Sequence, residues 1–411
     1  MPKPSYFPLP VTVADVTSDW LTAALRQRAP KATVLTSEIV DILDTTTTKI
    51  RMRITMNDAG KRAGISELII VKGGFQEHSR ELDHMHRREV QGYRDVFPNV
   101  PIPHPTCFFA DFDADRRQGI VIMEDLSARG VTFCHATRPQ TFEQVSRRLA
   151  ALARFHAATW DSPELYVGGK WGELPEFFGV MQGFFDKCTS PEHWERFMAL
   201  PRGVATSFRF RDRDWMVDAW TKMHRHASAL PHCVLHGDVH LGNLYIEPDG
   251  TPGFFDTLAS HGPGMLEVSY HISASVDIAD RARWEGALVQ VYLDELARNG
   301  ATSPPFDEAM RQYAIFLIYG LFIWQTTESH FQPEAVNTAN SDERRDAGSR
   351  RDGAAPVDGI AGQPLIGQIC IARPNAASVD SCIISLSVGC GNTVWINSAS
   401  VVSSVLPTTK P

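Results

Sequence analysis

The sequence predicts an α+β protein with two lobes, an antiparallel sheet followed by a larger helical part. The chain has 411 residues, whereas single hydrophobic cores stop growing near roughly 250–300 residues. Strand-like segments follow one another in the first part of the chain, between residues 33 and 74. From Thr141 onwards, apolar residues recur at helical spacing instead.

The first lobe is predicted to hold five strands and one helix. Three strand-like segments, each bounded by polar residues, Gly or Asp, are TVLTSEIVDIL, KIRMRITM and SELIIVKGG. A helix is predicted for HMHRREVQGYRDVF. Two further strands are predicted within IPHPTCFFADFDADRRQGIVIMEDL, one on each side of the turn DADRRQG, residues 113–119. Strands that follow one another in this way favour an antiparallel sheet.

The second lobe is predicted to be helical. In TFEQVSRRLAALARFHAATW, the spacing of Val145, Leu149 and Leu152 is that of an amphipathic helix. Further helices are expected around residues 215–226, 282–298 and 307–324. The longest apolar run, residues 313–324, is shorter than the ~20 residues that a membrane-spanning helix needs, so it predicts a buried helix of a soluble protein.

These elements set the expected domain boundaries. We expect an N-terminal extension over residues 1–34, the sheet lobe over 35–126 and the helical lobe over 127–340. Residues 341–411 are expected to form a linker and tail. Their first part is charged and rich in Gly and Ala, which is typical of disorder, and their second part is β-prone.

Composition narrows the range of partners. With 40 Lys and Arg against 48 Asp and Glu, the net charge of −8 disfavours nucleic acid and anionic membranes, so a small-molecule partner is expected. The seven cysteines include no CxxC pair, and the first residues lack the apolar segment of a signal peptide. These features predict a cytoplasmic protein.

The stretch VLHGDVHLGNLYIEPDGTPGFFD, residues 234–256, concentrates the polar side chains that could carry chemistry. A strand–turn–strand pattern around PDGT would bring Asp238, Asn243 and Asp256 to one end. Phosphoryl transfer needs a carboxylate that orients and deprotonates the attacking hydroxyl, and hard oxygen ligands that hold Mg²⁺. Asp238, Asn243 and Asp256 could fill those roles in that order.

This motif resembles a known family. HGDVHLGN followed by FFD is similar to the catalytic loop and the metal-binding Asp of the aminoglycoside phosphotransferase/choline kinase superfamily, relatives of the protein kinases. The protein-kinase motif is H-R-D-x-x-x-x-N followed by D-F-G, and Gly237 replaces Arg here, as in the small-molecule kinases. The resemblance implies a bilobal protein-kinase-like fold that uses ATP and Mg²⁺.

Other parts of the family pattern lie in order along residues 35–335. Lys72 ends a strand, as the phosphate-binding lysine does, and Glu89 lies on the next helix, as its ion-pair partner does. The segment IVIMEDL resembles the hinge between the lobes, where backbone groups near Glu124 and Leu126 would pair with adenine. Asp238 is then the implied catalytic base, and Asn243 and Asp256 the implied metal ligands.

Two positions depart from the pattern. The loop that covers the nucleotide usually contains Gly, but here it reads LDTTTTKIRM, so Thr46, Thr47 and Thr48 would contact phosphate through hydroxyl and N–H groups. Glu267 stands where the family commonly carries an Asp that braces the catalytic loop.

The function predicted from the sequence is transfer of the γ-phosphate of ATP to a hydroxyl of a small molecule. One alternative is a pseudokinase that binds nucleotide without turnover. Another is a metallophosphoesterase that uses His236, Asp238 and His240 as metal ligands; it would need further Gly-Asp and Gly-Asn-His blocks, which the chain lacks.

Overall fold

A computed structural model describes residues 8–44, 46–136, 138–343, 383–388 and 392–397. It divides the chain into two compact units, residues 1–354 and residues 355–411. All of the elements that carry the predicted site belong to the first unit.

The first lobe is built on the predicted five-stranded antiparallel sheet, with strand order β1-β2-β3-β5-β4. Its strands are β1 Val34–Asp44, β2 Thr48–Met56, β3 Leu68–Gly73, β4 Cys107–Asp113 and β5 Gln118–Glu124. Along β2, Ile50 and Met52 are buried while Lys49 and Arg51 are partly exposed, because successive side chains of a strand point to opposite faces. Lys49 pairs in register with Lys72 of β3, so both lysines lie on the same face of the sheet.

Four helices complete this lobe, namely α1 Ser18–Leu25, α2 Asp58–Arg62, α3 Glu77–Arg80 and α4 Asp83–Gln91. From the segment expected to be an N-terminal extension, α1 packs Leu21 and Leu25 into the same apolar cluster as Ile50 and Ile69. It therefore contributes to the core on the face of the sheet that lies opposite Lys49 and Lys72.

The predicted helix over residues 84–97 is α4 followed by a π-helical turn, Gly92–Val96. Few of its residues are apolar, yet His86, Arg88 and Glu89 are buried. Because buried polar groups need hydrogen-bond partners, these side chains must be paired inside the lobe or across to the next one.

The second lobe is helical, as predicted. Its helices are α5 Phe142–Ala157, α6 Phe177–Cys188, α7 Pro191–Ala199, α8 Pro201–Ala205, α9 Arg213–Ala227, α10 Gly264–Ser275, α11 Ile278–Arg298, α12 Phe306–Thr326 and α13 Glu334–Glu343. The Thr141 hydroxyl caps α5 by accepting a hydrogen bond from the Gln144 N–H, and the Thr141 N–H donates to the side-chain oxygen of Gln144. The apolar run predicted as a buried helix lies in α12 and is buried almost throughout.

Five short strands lie at the start of this lobe and around residues 233–262: β6 Thr132–Phe133, β7 Cys233–Leu235, β8 Leu244–Ile246, β9 Pro252–Phe254 and β10 Ser260–Gly262. β8 and β9 form the predicted hairpin, extended by β6, and β7 pairs with β10. Within the described part of the chain, no helix is both long and apolar enough to cross a membrane.

In the second unit, the described residues form an antiparallel pair, β11 Ile383–Val388 and β12 Asn392–Asn397. The remainder of the predicted linker and tail, from residue 344 onwards, lies outside the described residues, as does Thr45.

Candidate active site

The loop between β7 and β8 has its backbone fixed by a buried carboxylate. Glu267 of α10 is 3% exposed, and it accepts hydrogen bonds from the backbone N–H groups of Gly237 at 2.6 Å and His236 at 3.2 Å. His156 of α5 lies 2.9 Å from the same carboxylate and 2.9 Å from the Tyr292 hydroxyl. Glu267 therefore braces this loop, as the family Asp was expected to do.

Only glycine fits at position 237. Its φ of +90° is in the left-handed region that favours glycine. A Cβ atom there would lie 2.0 Å from the carbonyl oxygen of Leu258. The replacement of Arg by Gly in this motif thus has a steric reason, since the loop passes directly against the chain that follows β9.

His236 supports the same loop from inside. Its side chain is fully buried, and burial lowers its pKa, so the ring is neutral. One ring nitrogen accepts a hydrogen bond from the Asp238 N–H at 3.3 Å, and the other donates to the carbonyl of Phe255 at 3.1 Å. Because both nitrogens are engaged, His236 has no lone pair left for a metal ion, which removes a ligand from the metallophosphoesterase alternative.

Asp238 and Asn243 are held together at the end of this loop. The Asn243 amide nitrogen donates to the backbone carbonyl and to the carboxylate of Asp238, both at 2.9 Å. Tyr270 donates to the other carboxylate oxygen at 3.2 Å, and His240 lies 3.4 Å from the first. Burial raises the pKa of Asp238, but His240 and the other donors outweigh it and leave the pKa lowered, so the carboxylate is ionised.

His240 is a residue whose position the sequence left open. Its ring accepts a hydrogen bond from the Gly242 N–H at 3.0 Å, which turns the other ring nitrogen toward Asp238. Burial lowers the pKa of His240. The charge of the Asp238 carboxylate and its hydrogen bond to the ring together outweigh burial, so the pKa of His240 is raised. His240 therefore contacts the candidate base directly.

Asp256 follows β9 and lies beside Asn243. The neighbouring Phe255 N–H donates to the Asn243 carbonyl at 3.0 Å. Asp256 has a φ of +56°, which is uncommon for a residue other than Gly, and its N–H donates to the Tyr93 hydroxyl at 3.2 Å. Such a conformation persists only when its surroundings hold it, and it occurs at functional sites.

Lys72 connects the two lobes at this point. Its ammonium lies 2.5 Å from Glu89 of α4 and 2.9 Å from Oδ1 of Asp256, and its side chain is 7% exposed. Burial disfavours its charge, but Asp256 and then Glu89 outweigh that effect and raise the pKa of Lys72. The lysine predicted from the strand end is thus charged and in contact with the predicted metal ligand.

Lys49 is a site residue that the sequence analysis missed. Its ammonium lies 2.8 Å from Oδ2 of Asp256, so two lysines hold the two oxygens of one carboxylate. Burial raises the pKa of Asp256, but Lys49 and then Lys72 outweigh it and lower the pKa. The alternation of β2, with Lys49 opposite Lys72 in the sheet, is the signal that could have found it.

In the loop predicted to cover the nucleotide, residues 45–48 and here called the threonine loop, the described threonines differ in exposure. Thr48 is 1% exposed, and the strand alternation places its side chain on the core face of the sheet, opposite Lys49. The hydroxyl of Thr48 therefore cannot reach a phosphate beside Lys72, and only its backbone stays in the prediction. Thr46 is partly exposed and Thr47 is buried; the Thr46 carbonyl accepts a hydrogen bond from Ser79 at 2.8 Å.

The predicted hinge follows directly on β5. Glu124 ends that strand, and its N–H donates to the Thr106 carbonyl at 3.0 Å, so this N–H is not available to adenine. Leu126 begins a 3-10 turn, Leu126–Arg129. Arg129 of that turn pairs with Glu124 and also with Glu247 of the helical lobe, which ties the hinge to the β8–β9 turn.

The donor set fits a magnesium ion that shares its coordination with phosphate and water. No group of three His, Cys, Asp or Glu that could hold a metal occurs within the described ranges. Mg²⁺ does not require such a cage, since it is usually bound by one or two carboxylates together with phosphates. Asp256 supplies a carboxylate, and the hydrogen bonds of Asn243 engage its nitrogen and leave its oxygen for a cation.

The fold and this site define a two-lobed α+β protein with its charged residues gathered where the lobes meet. The model of the phosphotransferase enzyme family matches residues 75–301, more than half of the chain. The chain therefore belongs to that family. A search of curated protein sequences finds no match.

Several solved structures are similar in fold. A Ralstonia eutropha JMP134 protein, provisionally named an aminoglycoside phosphotransferase, is 13% identical with a TM-score of 0.49, covering 80% of this chain and 97% of its own. Amicoumacin kinase hAmiN is 12% identical with a TM-score of 0.46, covering 75% and 88%. Choline kinase LicA from Streptococcus pneumoniae is 12% identical with a TM-score of 0.40, covering 74% and 94%. At identities this low, the similarity of this chain to these structures is limited to the fold.

Proposed function

We propose that the protein transfers the γ-phosphoryl group of ATP to a hydroxyl group of a small molecule. ATP would bind between the sheet lobe, residues 35–126, and the helical lobe, residues 127–340. Membership of the phosphotransferase family supports the reaction class. The charged residues at the junction of the lobes support the location.

The sheet side of the cleft would bind the nucleotide. Lys72, oriented by Glu89, would pair with the α- and β-phosphates, as the corresponding lysine does in kinases. The carbonyl of Glu124 and the backbone of Leu126 would contact adenine, and the backbone of Thr46–Thr48 would cover the phosphates. Asn243 and Asp256 would hold Mg²⁺, which neutralises charge that develops on the phosphate oxygens.

Asp238 would act on the acceptor. Its ionised carboxylate would accept a hydrogen bond from the acceptor hydroxyl and orient the oxygen toward the γ-phosphorus. A bond from that oxygen to phosphorus forms while the bond from phosphorus to the β–γ bridging oxygen breaks. The hydroxyl proton passes to Asp238, and ADP leaves with the electron pair of the broken bond. Tyr270 and Asn243 would keep the carboxylate in place through their hydrogen bonds.

One observation carries this proposal more than any other. Lys72 and Asp256 are 184 positions apart in the sequence, yet their side chains are 2.9 Å apart. A strand-ending lysine elsewhere on the surface would have had no such partner. A shared cleft between this lysine and the polar loop is what a phosphotransferase of this type requires.

An ATP-consumption screen tests the function. Purified protein with Mg²⁺ would be assayed against hydroxylated metabolites, antibiotics and choline-like compounds, with the Asp238→Asn protein as the blank. We expect at least one compound to stimulate ADP formation and to gain mass corresponding to one phosphoryl group. Activity that persists undiminished in Asp238→Asn, or nucleotide binding without turnover on any compound, would favour a contaminant or the pseudokinase alternative.

A further inference from the structure

Both carboxylate oxygens of Asp256 are paired with ammonium groups. Lys72 holds Oδ1 at 2.9 Å, and Lys49 holds Oδ2 at 2.8 Å. A cation and an ammonium group repel each other, and Mg²⁺ binds its carboxylate ligands at about 2.0–2.1 Å. If Asp256 coordinates a metal, at least one of the two ammonium groups must first move away.

Lys49 is the lysine that is free to move. Lys72 is 7% exposed and also pairs with Glu89 at 2.5 Å. If Lys72 moved away from Asp256, its buried ion pair with Glu89 would be disturbed. The side chain of Lys49 is 30% exposed, and Asp256 is its one ion-pair partner among the residues that the structure describes. Movement of Lys49 therefore breaks a single, partly solvated contact.

The position of Lys49 suggests what it would contact after that movement. It follows the threonine loop directly, and it lies beside Lys72 on the same face of the sheet. A glycine-containing loop can bring its N–H groups close to phosphate because its glycines have no Cβ atoms. The threonine loop has Cβ atoms throughout, and the Thr48 side chain points to the core face. A cation on a long, flexible stem at this place can supply the missing contact.

We propose that Lys49 is a second phosphate-binding residue. In the nucleotide-free protein its ammonium group pairs with the Asp256 carboxylate, and it moves to the phosphate groups when the metal–nucleotide complex binds. This inference rests on the proposed function, because it takes the nucleotide site to lie beside Lys72. In the free protein, two ammonium groups balance Asp256 and Glu89. In the complex, the same two ammonium groups face the negative charges of the phosphates, and Asp256 faces the metal.

Titration calorimetry on three variants tests the proposal. Lys49→Met removes the charge and retains most of the stem, Lys72→Met does the same at the expected phosphate lysine, and Lys61→Met is the matched control on exposed α2. The probes are Mg²⁺–AMP-PNP, adenosine, and Mn²⁺ alone. Adenosine has no phosphate, so it separates a lost phosphate contact from general damage to the cleft.

We expect Lys49→Met to weaken Mg²⁺–AMP-PNP binding about tenfold to a hundredfold, since a hydrogen bond between charged groups is lost. Adenosine affinity should stay unchanged. Mn²⁺ alone should bind Lys49→Met more tightly than the unaltered protein, because Oδ2 of Asp256 is no longer occupied. Lys61→Met should change none of the three affinities.

The outcomes separate this inference from the proposed function. Lys49→Met that binds Mg²⁺–AMP-PNP normally while Lys72→Met does not would overturn the role of Lys49 alone. A loss of adenosine affinity equal to the loss of Mg²⁺–AMP-PNP affinity would also overturn it. An unaltered protein that binds no Mg²⁺–AMP-PNP would overturn both proposals. Should Lys49→Met fail to fold, Lys49→Gln and the charge-retaining Lys49→Arg provide the same contrast.

Discussion

The two sides of the candidate active site are built in different ways. On the helical side, the loop from His236 to Asn243 has an irregular backbone that Glu267 fixes from within the lobe. On the sheet side, Lys49 and Lys72 project from regular, paired strands. The fold and the function of the loop therefore depend on the same buried contacts, whereas the sheet would survive changes in the side chains that it presents.

The largest effect is expected at the carboxylates that project from the helical side. Asp238→Ala should lower turnover about 10²–10⁴-fold, the range of general-base catalysis. Asp256→Ala should lower turnover at least as much. Misalignment of the metal and the phosphates also removes the contribution of positioning, which lowers the activation barrier by up to ~7–11 kcal/mol. Both would be measured as kcat in a Mg²⁺–ATP assay once an acceptor is known. A near-normal rate for Asp256→Ala would remove the metal role from this residue.

The next effect concerns the brace itself. Glu267→Ala should lower the free energy of unfolding by about 3–5 kcal/mol, because it leaves two buried N–H groups and His156 without their acceptor. Urea unfolding would measure it, with Glu143→Ala on the exposed face of α5 as a control expected to cost less than about 1 kcal/mol. Equal losses in the two variants would mean that the loop is held by something other than Glu267.

Acid should destabilise the sheet side through His86. Burial lowers the pKa of His86 to about 4, from 6.5 in the unfolded chain. Between these two values the unfolded state binds the proton and the folded state does not. Stability is therefore fully present above pH 6.5 and falls as the pH drops toward 4, by about 3 kcal/mol from this residue.

Comparison of unfolding at pH 7 and pH 4 would test this. The difference between the two unfolding free energies should shrink by about 3 kcal/mol in His86→Leu and stay unchanged in the exposed-site control His78→Leu. An unchanged pH dependence in His86→Leu would show that burial does not lower the pKa of His86 in the folded protein.

The smallest effect should be confined to the helical lobe. Thr141→Ala removes the cap of α5 and should cost about 1 kcal/mol of unfolding free energy. Because the cap hydrogen bonds join only Thr141 and Gln144, the Kd for Mg²⁺–AMP-PNP should not change. A weakened nucleotide affinity in this variant would contradict the separation between lobe stability and the charged sheet side.

Local patterns predicted much of the fold and site. The five strands, the helix that carries Glu89 and the order of Asp238, Asn243 and Asp256 follow from periodicity, turn residues and short spacing. The contact between Asn243 and Asp238 spans only five residues, so it belongs to the motif itself. The alternation of apolar and polar residues in β2 also indicated that the Thr48 side chain points to the core, although the prediction assigned its hydroxyl to phosphate.

By itself, the sequence determined which residues lie on strands, helices and turns, because these depend on neighbours a few positions apart. Only the tertiary structure decided that Lys49 meets Asp256, a contact across 207 positions, and that α1 covers the sheet. Such contacts arise from the packing of whole elements against one another. The alternation of β2 determines the face on which Lys49 lies, but not that Lys49 reaches Asp256, because that distance depends on how the lobes pack together.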